Sequence, residues 1–211
     1  MTDYIDGYCE RLAPGFWGEP LNAVTNLSFL IAAWLIWRAA LRAGTADRPA
    51  LLIPLALLAL TGIGSFLFHT FANGWSAIAD TAALSLCLIA TLYAGARVWL
   101  GHSWLTALIW PAMMVGAAVL LGAGLPFIPG AFYLGPLAAG AVMTWALYRR
   151  DHPAWRWVGG AVLVFVPSFI ARSLDISLCE SFPSGTHFVW HVLNGVVLGL
   201  AIRPLGWQRT G

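Results

Sequence analysis

Lysine is missing altogether: all 11 basic residues are arginine. A seven-helix retinal protein needs a Schiff-base lysine, so that class is excluded. Charge of either sign is scarce, at 9% of 211 residues, where a soluble globular domain carries about 25%. No strand-like alternation, repeat period or low-complexity tract stands out. What fills the chain instead is apolar, with 60% hydrophobic residues and a mean hydropathy of +0.78. Lipid is therefore the expected solvent for most of it. A spanning helix takes about 20 predominantly apolar residues, so the length accommodates seven short-looped helices and no extramembrane module.

The pattern predicts an all-α, polytopic bundle of seven transmembrane helices in a single domain over 1–211. The segments run from Leu21 to Leu41, Leu51 to Phe71, Trp75 to Trp99, Trp104 to Leu125, Phe132 to Leu147, Trp155 to Leu174 and His187 to Ile202. Residues 1–20 form an outer N-terminal segment and 203–211 a cytoplasmic tail. Turn chemistry separates the spans, as at Asn73-Gly74, Pro126 to Gly130 and Ser181 to Gly185. The first 20 residues lack a basic flank with an apolar stretch, so no cleavable signal peptide is expected. Arg38, Arg42, Arg48, Arg97, Arg149, Arg150, Arg156, Arg203 and Arg209 all fall on one side of an up-down bundle, and only Arg11 and Arg172 on the other. Arginine-rich loops face the cytoplasm, which puts the N-terminus outside and the C-terminus inside. The net charge of +2 mostly reflects this rim, and no nucleic-acid partner is expected. Trp75, Trp99, Trp104, Trp155 and Trp207 lie at segment ends, as interfacial belt residues do.

Histidine placement carries the chemistry. His102 and His152 fall in inner loops as ordinary polar residues, whereas His69, His187 and His191 all map to the outer ends of the second and seventh segments. His187 and His191 are spaced i,i+4, so both imidazoles leave one helix face. Ser65 and His69 repeat that spacing. Three neutral imidazoles would leave the fourth position of a tetrahedral zinc open for water, the pattern of a catalytic site. Asp80, just inside the third segment, costs about 2.5 to 3.5 kcal/mol on insertion scales unless paired or wet. It lies near enough to His69 in sequence to accept a proton or to orient a histidine. Interfacial histidines bonded to backbone are the structural alternative, and a haem bound by paired histidines is a poorer fit. Arg172 and Asp175, spaced i,i+3, are expected to pair with each other or to meet a headgroup.

These residues also resemble a known group. The run Gly62-Ile63-Gly64-Ser65-Phe66-Leu67-Phe68-His69, then Asp80, then His187-Phe188-Val189-Trp190-His191 is similar to the motifs of the alkaline ceramidase family. That family belongs to a superfamily with adiponectin-type receptors and membrane lipid-remodelling hydrolases. Glu19-Pro20-Leu21-Asn22-Ala23-Val24-Thr25-Asn26 and the segment from Asp175 to Glu180 extend the likeness over nearly the whole chain. The resemblance implies zinc on His69, His187 and His191, with Ser65 holding the developing oxyanion and Asp80 moving a proton toward the leaving amine. The implied reaction is hydrolysis of ceramide to a sphingoid base and a fatty acid. A phospholipid-type ester hydrolase and a lipid-binding receptor are the alternatives, although receptors of the adiponectin type place the N-terminus inside.

The resemblance further implies a calcium ion held by the N-terminal segment, for which Asp6, Tyr8, Glu10 and Glu19 are the candidate ligands. The match there is partial: Gly7 stands where the family has aspartate and Leu12 where it has asparagine, so either Asp6 and Asn22 fill in or the site is weakened or absent. The resemblance also favours a disulfide between Cys9 and Cys179, both on the expected oxidising side, with two free thiols as the alternative; Cys87 reads as a small core residue. The expected partners are a ceramide-like lipid and the membrane, with no obligate protein partner. The expected location is a bacterial inner membrane, with the active site near the periplasmic face.

Overall fold

The computed structural model describes residues 3–207. Among the described residues seven helices are long and apolar enough to cross a bilayer: α1 (Pro20–Ala43), α2 (Pro49–Phe71), α3 (Gly74–Val98), α4 (Trp104–Gly124), α5 (Ala131–Tyr148), α6 (Trp155–Leu174) and α7 (His187–Gly206). No end departs from the sequence expectation by more than four residues. Among the described residues there is no strand, only an isolated β-bridge between Tyr4 and Asn73. α1 is irregular at Asn26 and α4 at Leu108. α7 ends in a 3-10 turn, Arg203–Gly206. The expected tail therefore starts as packed structure: Pro204 and Leu205 are buried, and Arg48 donates to the Trp207 carbonyl at 2.8 Å. Residues 208–211, Arg209 among them, lie outside the described residues.

Consecutive helices lie side by side, and α7 closes the ring onto α1. α2 also touches α7 across the ring. Both of these helices are half buried, against 17–28% for the other five. They are thus the two helices whose side chains can meet in the interior, and they carry the three outer histidines. An apolar core fills the arginine-rich end, where Leu51, Leu147, Ile202 and Leu205 are almost wholly buried. Trp99 belongs to this core rather than to the interfacial belt; it is 8% exposed and donates from Nε1 to the Pro204 carbonyl at 3.4 Å. The cause is packing: the last turn of α7 covers the indole and supplies its hydrogen-bond acceptor. Cys87 is fully buried in the same core.

The α2–α3 hairpin owes its tightness to local chemistry. Ala72 takes a left-handed conformation, φ 46°, and ends α2. Asn73 and Ser76 then form a reciprocal capping box that starts α3, satisfying backbone donors that a helix start leaves open. Gly64 lets the two helices approach closely, since a Cβ there would meet the Ala79 carbonyl oxygen at 2.7 Å. Ser65 and Asp80, each the next residue along, are brought to one level by that approach. The N-terminal segment crosses this end of the hairpin, with Ile5 N–H donating to the Ala72 carbonyl at 2.8 Å. A Cys9–Cys179 disulfide, spanning 170 residues of sequence, ties that segment to the loop before α7.

Candidate metal centre

His69 from α2 and His187 and His191 from the first turns of α7 converge with one ring nitrogen each inside a mutual distance of 4.8 Å. All three are 2% exposed or less. His69 Nε2 and His187 Nδ1 are buried without a hydrogen-bond partner. Buried polar atoms are seldom left unpaired, so two orphaned lone-pair positions facing a third imidazole make a nitrogen donor set suited to a transition metal. No second group of three His, Cys, Asp or Glu side chains placed to hold a metal occurs among the described residues.

Each imidazole is held from outside the cluster. His69 Nδ1 faces the Glu19 carboxylate at 2.5 Å, leaving Nε2 for the interior. His191 Nδ1 meets the Thr25 hydroxyl at 3.1 Å, and Ser28 donates to the His191 carbonyl at 2.8 Å. The His187 ring is stacked on Tyr8 at a centroid distance of 3.7 Å. Its backbone is pinned as well: Asp175 Oδ1 accepts from the N–H groups of Thr186 and His187 at 2.6 and 2.9 Å, and Oδ2 from Cys9 N–H at 3.1 Å. One carboxylate therefore caps the positive end of α7 and anchors the disulfide-bearing segment. This replaces the expected Arg172–Asp175 pair. Arg172 instead lies over the rings of Tyr133 and Trp190, 5.0 and 5.9 Å from their centroids, because Asp175 is consumed by backbone donors that have no other partner.

Ser65 and Asp80 line a small cavity together with Tyr8, His187, His191 and Asn194. Four residues of this wall, Leu84, Tyr133, Trp190 and Asn194, also bound an apolar cavity that runs toward the arginine-rich end past Met114, Val158 and Phe165. The histidine cluster thus sits where a polar recess meets an apolar one.

The N-terminal segment departs from the calcium expectation. Asp6 is exposed, and the Tyr8 ring is engaged with His187. Glu10 accepts from the N–H groups of Leu21 and Asn22 at 2.6 and 2.8 Å, capping α1. Glu19 is paired with Arg11, His69 and Asn22. Calcium needs 6–8 oxygen ligands; here Glu10 and Glu19 already accept from protein donors, while the side-chain oxygens of Asn22 and Asn26 are buried without a partner. Burial raises the Glu19 carboxyl, but the hydrogen bonds and charges of His69, Arg11 and Asn22 outweigh it and hold the group below the usual carboxylate range. Burial is also the main reason that the Tyr8 phenol is pushed well above its ordinary value.

Compared with known protein families, the sequence matches the ceramidase family over residues 7–210. The chain belongs to the ceramidase family. That membership makes it a hydrolase whose substrate class is a lipid amide. No individually curated protein matches the sequence at a significant level. Sequence reasoning brought five of the family-type residues, His69, His187, His191, Ser65 and Asp80, to one depth, and the structure places all five around one centre. It missed Thr25, Asp175 and Arg11 as supports. For Thr25 a signal existed, since it sits in the polar run Asn22 to Asn26 that opens a membrane helix; Asp175 acts 11 and 12 residues away from its partners, where no local pattern points.

Proposed function

We propose that this protein is a zinc-dependent intramembrane amidase that cleaves ceramide to a sphingoid base and a fatty acid. The observation that carries the reading is the buried trio His69, His187 and His191, with two ring nitrogens unpartnered, at the junction of a polar recess and an apolar cavity. Zinc held by these three would act as a Lewis acid on the amide carbonyl and lower the pKa of water. The remaining work falls to the chain's own side chains. Asp80 takes the proton from the attacking water and gives it to the amine nitrogen as the C–N bond breaks and the new C–O bond forms. Ser65 directs its hydroxyl at the oxygen that gains negative charge. The apolar cavity takes one hydrocarbon chain of the lipid, and the rest stays in the bilayer. Glu19 and Thr25 keep the outer nitrogens of His69 and His191 occupied, so that their inner nitrogens stay available.

The whole chain would act as one transmembrane unit, with the centre on the side opposite the arginine-rich loops. Positive loops face the cytoplasm, and the Cys9–Cys179 disulfide suits an oxidising compartment; together they support an outer N-terminus and a periplasmic centre in a bacterial inner membrane. The test is elemental analysis of the detergent-purified protein, joined to mass-spectrometric detection of fatty acid released from ceramides and from phospholipid esters, with and without chelator. About one zinc per chain and chelator-sensitive release from ceramide are expected. Release from the esters alone would overturn the amidase reading, and a folded sample without zinc would overturn the metal centre.

A further inference from the structure

Arg11 is the residue beside the centre that the proposed chemistry leaves unused. It is 3% exposed, and burying an unpaired guanidinium would be prohibitive. Its fork is met on every arm: Nε pairs with Glu19 Oε1, Nη1 donates to the Gly15 carbonyl at 3.3 Å, and Nη2 to the His69 carbonyl at 2.7 Å. The loop is shaped to admit it. A Cβ at Gly18 would sit 2.6 Å from Nη1 and 3.0 Å from the Ala13 carbonyl oxygen, so a side chain there would push the guanidinium from its place. Two carbonyls and a carboxylate around one positive charge are the donors that a hard cation would otherwise recruit. The other Glu19 oxygen, Oε2, holds His69 Nδ1 and Asn22 Nδ2.

We propose that the Arg11 guanidinium stands in for a second metal ion, so that this protein needs no calcium, and that Arg11 acts as a positioning residue that fixes Glu19 and through it the metal-facing orientation of His69. The inference rests on the reading of the three histidines as a zinc site. A fixed charge on the chain cannot be removed by a chelator or by a change in ion concentration. A planar fork also sets the carboxylate plane in a way that a spherical ion does not.

The experiment titrates calcium into the full-length purified protein and reads the thermal unfolding midpoint and the zinc affinity, for the native chain, Arg11→Ala and Arg11→Lys. For the native chain neither quantity should move with calcium or with a calcium-selective chelator. Arg11→Ala should weaken zinc binding by about ten- to a hundred-fold, the usual cost of losing an outer partner of a ligand. Added guanidinium chloride at sub-denaturing concentration should recover part of that loss. Arg11→Lys should fall between the two, since it keeps the charge and loses the fork. Calcium that binds the native protein and raises its midpoint would overturn the proposal, as would Arg11→Ala with unchanged zinc affinity. If both variants fail to fold, the calcium titration of the native chain still decides it. Because metal affinity is read directly, a native protein that binds zinc and ignores calcium but leaves ceramide intact would sink the amidase reading and not this one.

Discussion

At the arginine-rich end of the bundle the deeply buried side chains are Leu51, Leu147, Ile202 and Leu205; at the other end they are Glu19, Asn22, Asn26, His69, His187 and His191. The two ends cohere by different means. Inside a bilayer there is no hydrophobic force between helices, and association rests on close packing and interhelical hydrogen bonds. The apolar end uses the first, and can tolerate small adjustments of shape. The polar end uses the second and adds the disulfide. A buried polar group left unpaired costs about 1–3 kcal/mol, so each member there constrains its neighbours. The chain Arg11, Glu19, His69 is the clearest case, and the clamp by Asp175 on His187 and Cys9 is another. A region of this kind is rigid where it is satisfied; its unpaired atoms are Asn22 Oδ1, Asn26 Oδ1, His69 Nε2 and His187 Nδ1, and the two ring nitrogens mark where something from outside is accommodated.

Mutations at the two ends should therefore separate function from stability. The largest effect is expected from His191→Ala, which should lose bound zinc and hydrolysis together while circular dichroism shows the helices retained; a folded variant with one zinc and full activity would refute the site. Ser65→Ala and Asp80→Asn come next. Both should keep zinc by elemental analysis and lose about 10²–10³-fold in kcat, as removal of a charge-stabilising donor does. At the opposite end, Leu147→Ala should cost about 2–5 kcal/mol in denaturant unfolding, with the zinc content per folded chain unchanged; a loss of zinc there would mean that the two ends are coupled. Thr25→Val removes only the hydroxyl facing His191 Nδ1, and competition with a chelating dye should show zinc affinity reduced by about tenfold, at the low end for such outer partners. Smallest is Asn73→Ala, which removes the α3 cap and should lower stability by about 0.5–2 kcal/mol, without changing the metal content.

How far each feature was legible depends on the range over which its cause acts. The seven spans follow from runs of apolar residues between turn signals, and the α2–α3 turn from Asn73 and Gly74; these causes lie within a few residues of their effects. The side-by-side exit of His187 and His191 is a matter of helical period alone. Trp99 was misplaced because its position at a helix end is shared with true belt residues, and only the covering turn at Pro204 sets it apart. The Arg172–Asp175 spacing was equally ambiguous: i,i+3 permits a pair, but two backbone donors at the start of α7 compete for the carboxylate and win. The calcium alternatives stayed open for a related reason, since a carboxylate's identity does not disclose whether a guanidinium folded over from Arg11 already pairs with it.

By itself the sequence determined that lipid would be the solvent, that the chain would cross it seven times, and that three imidazoles, a hydroxyl and a carboxylate would end up at a common depth. Those are consequences of residue type and of the rise of a helix per residue. Tertiary structure alone decided that α2 and α7 meet across the ring, that Asp175 clamps the start of α7, that Arg11 fills the place beside Glu19, and that the recess beside the histidines shares a wall with an apolar cavity. Depth in a membrane is a one-dimensional property that a helix writes locally. Which faces turn toward each other is settled only when all seven helices pack and every buried donor must find an acceptor.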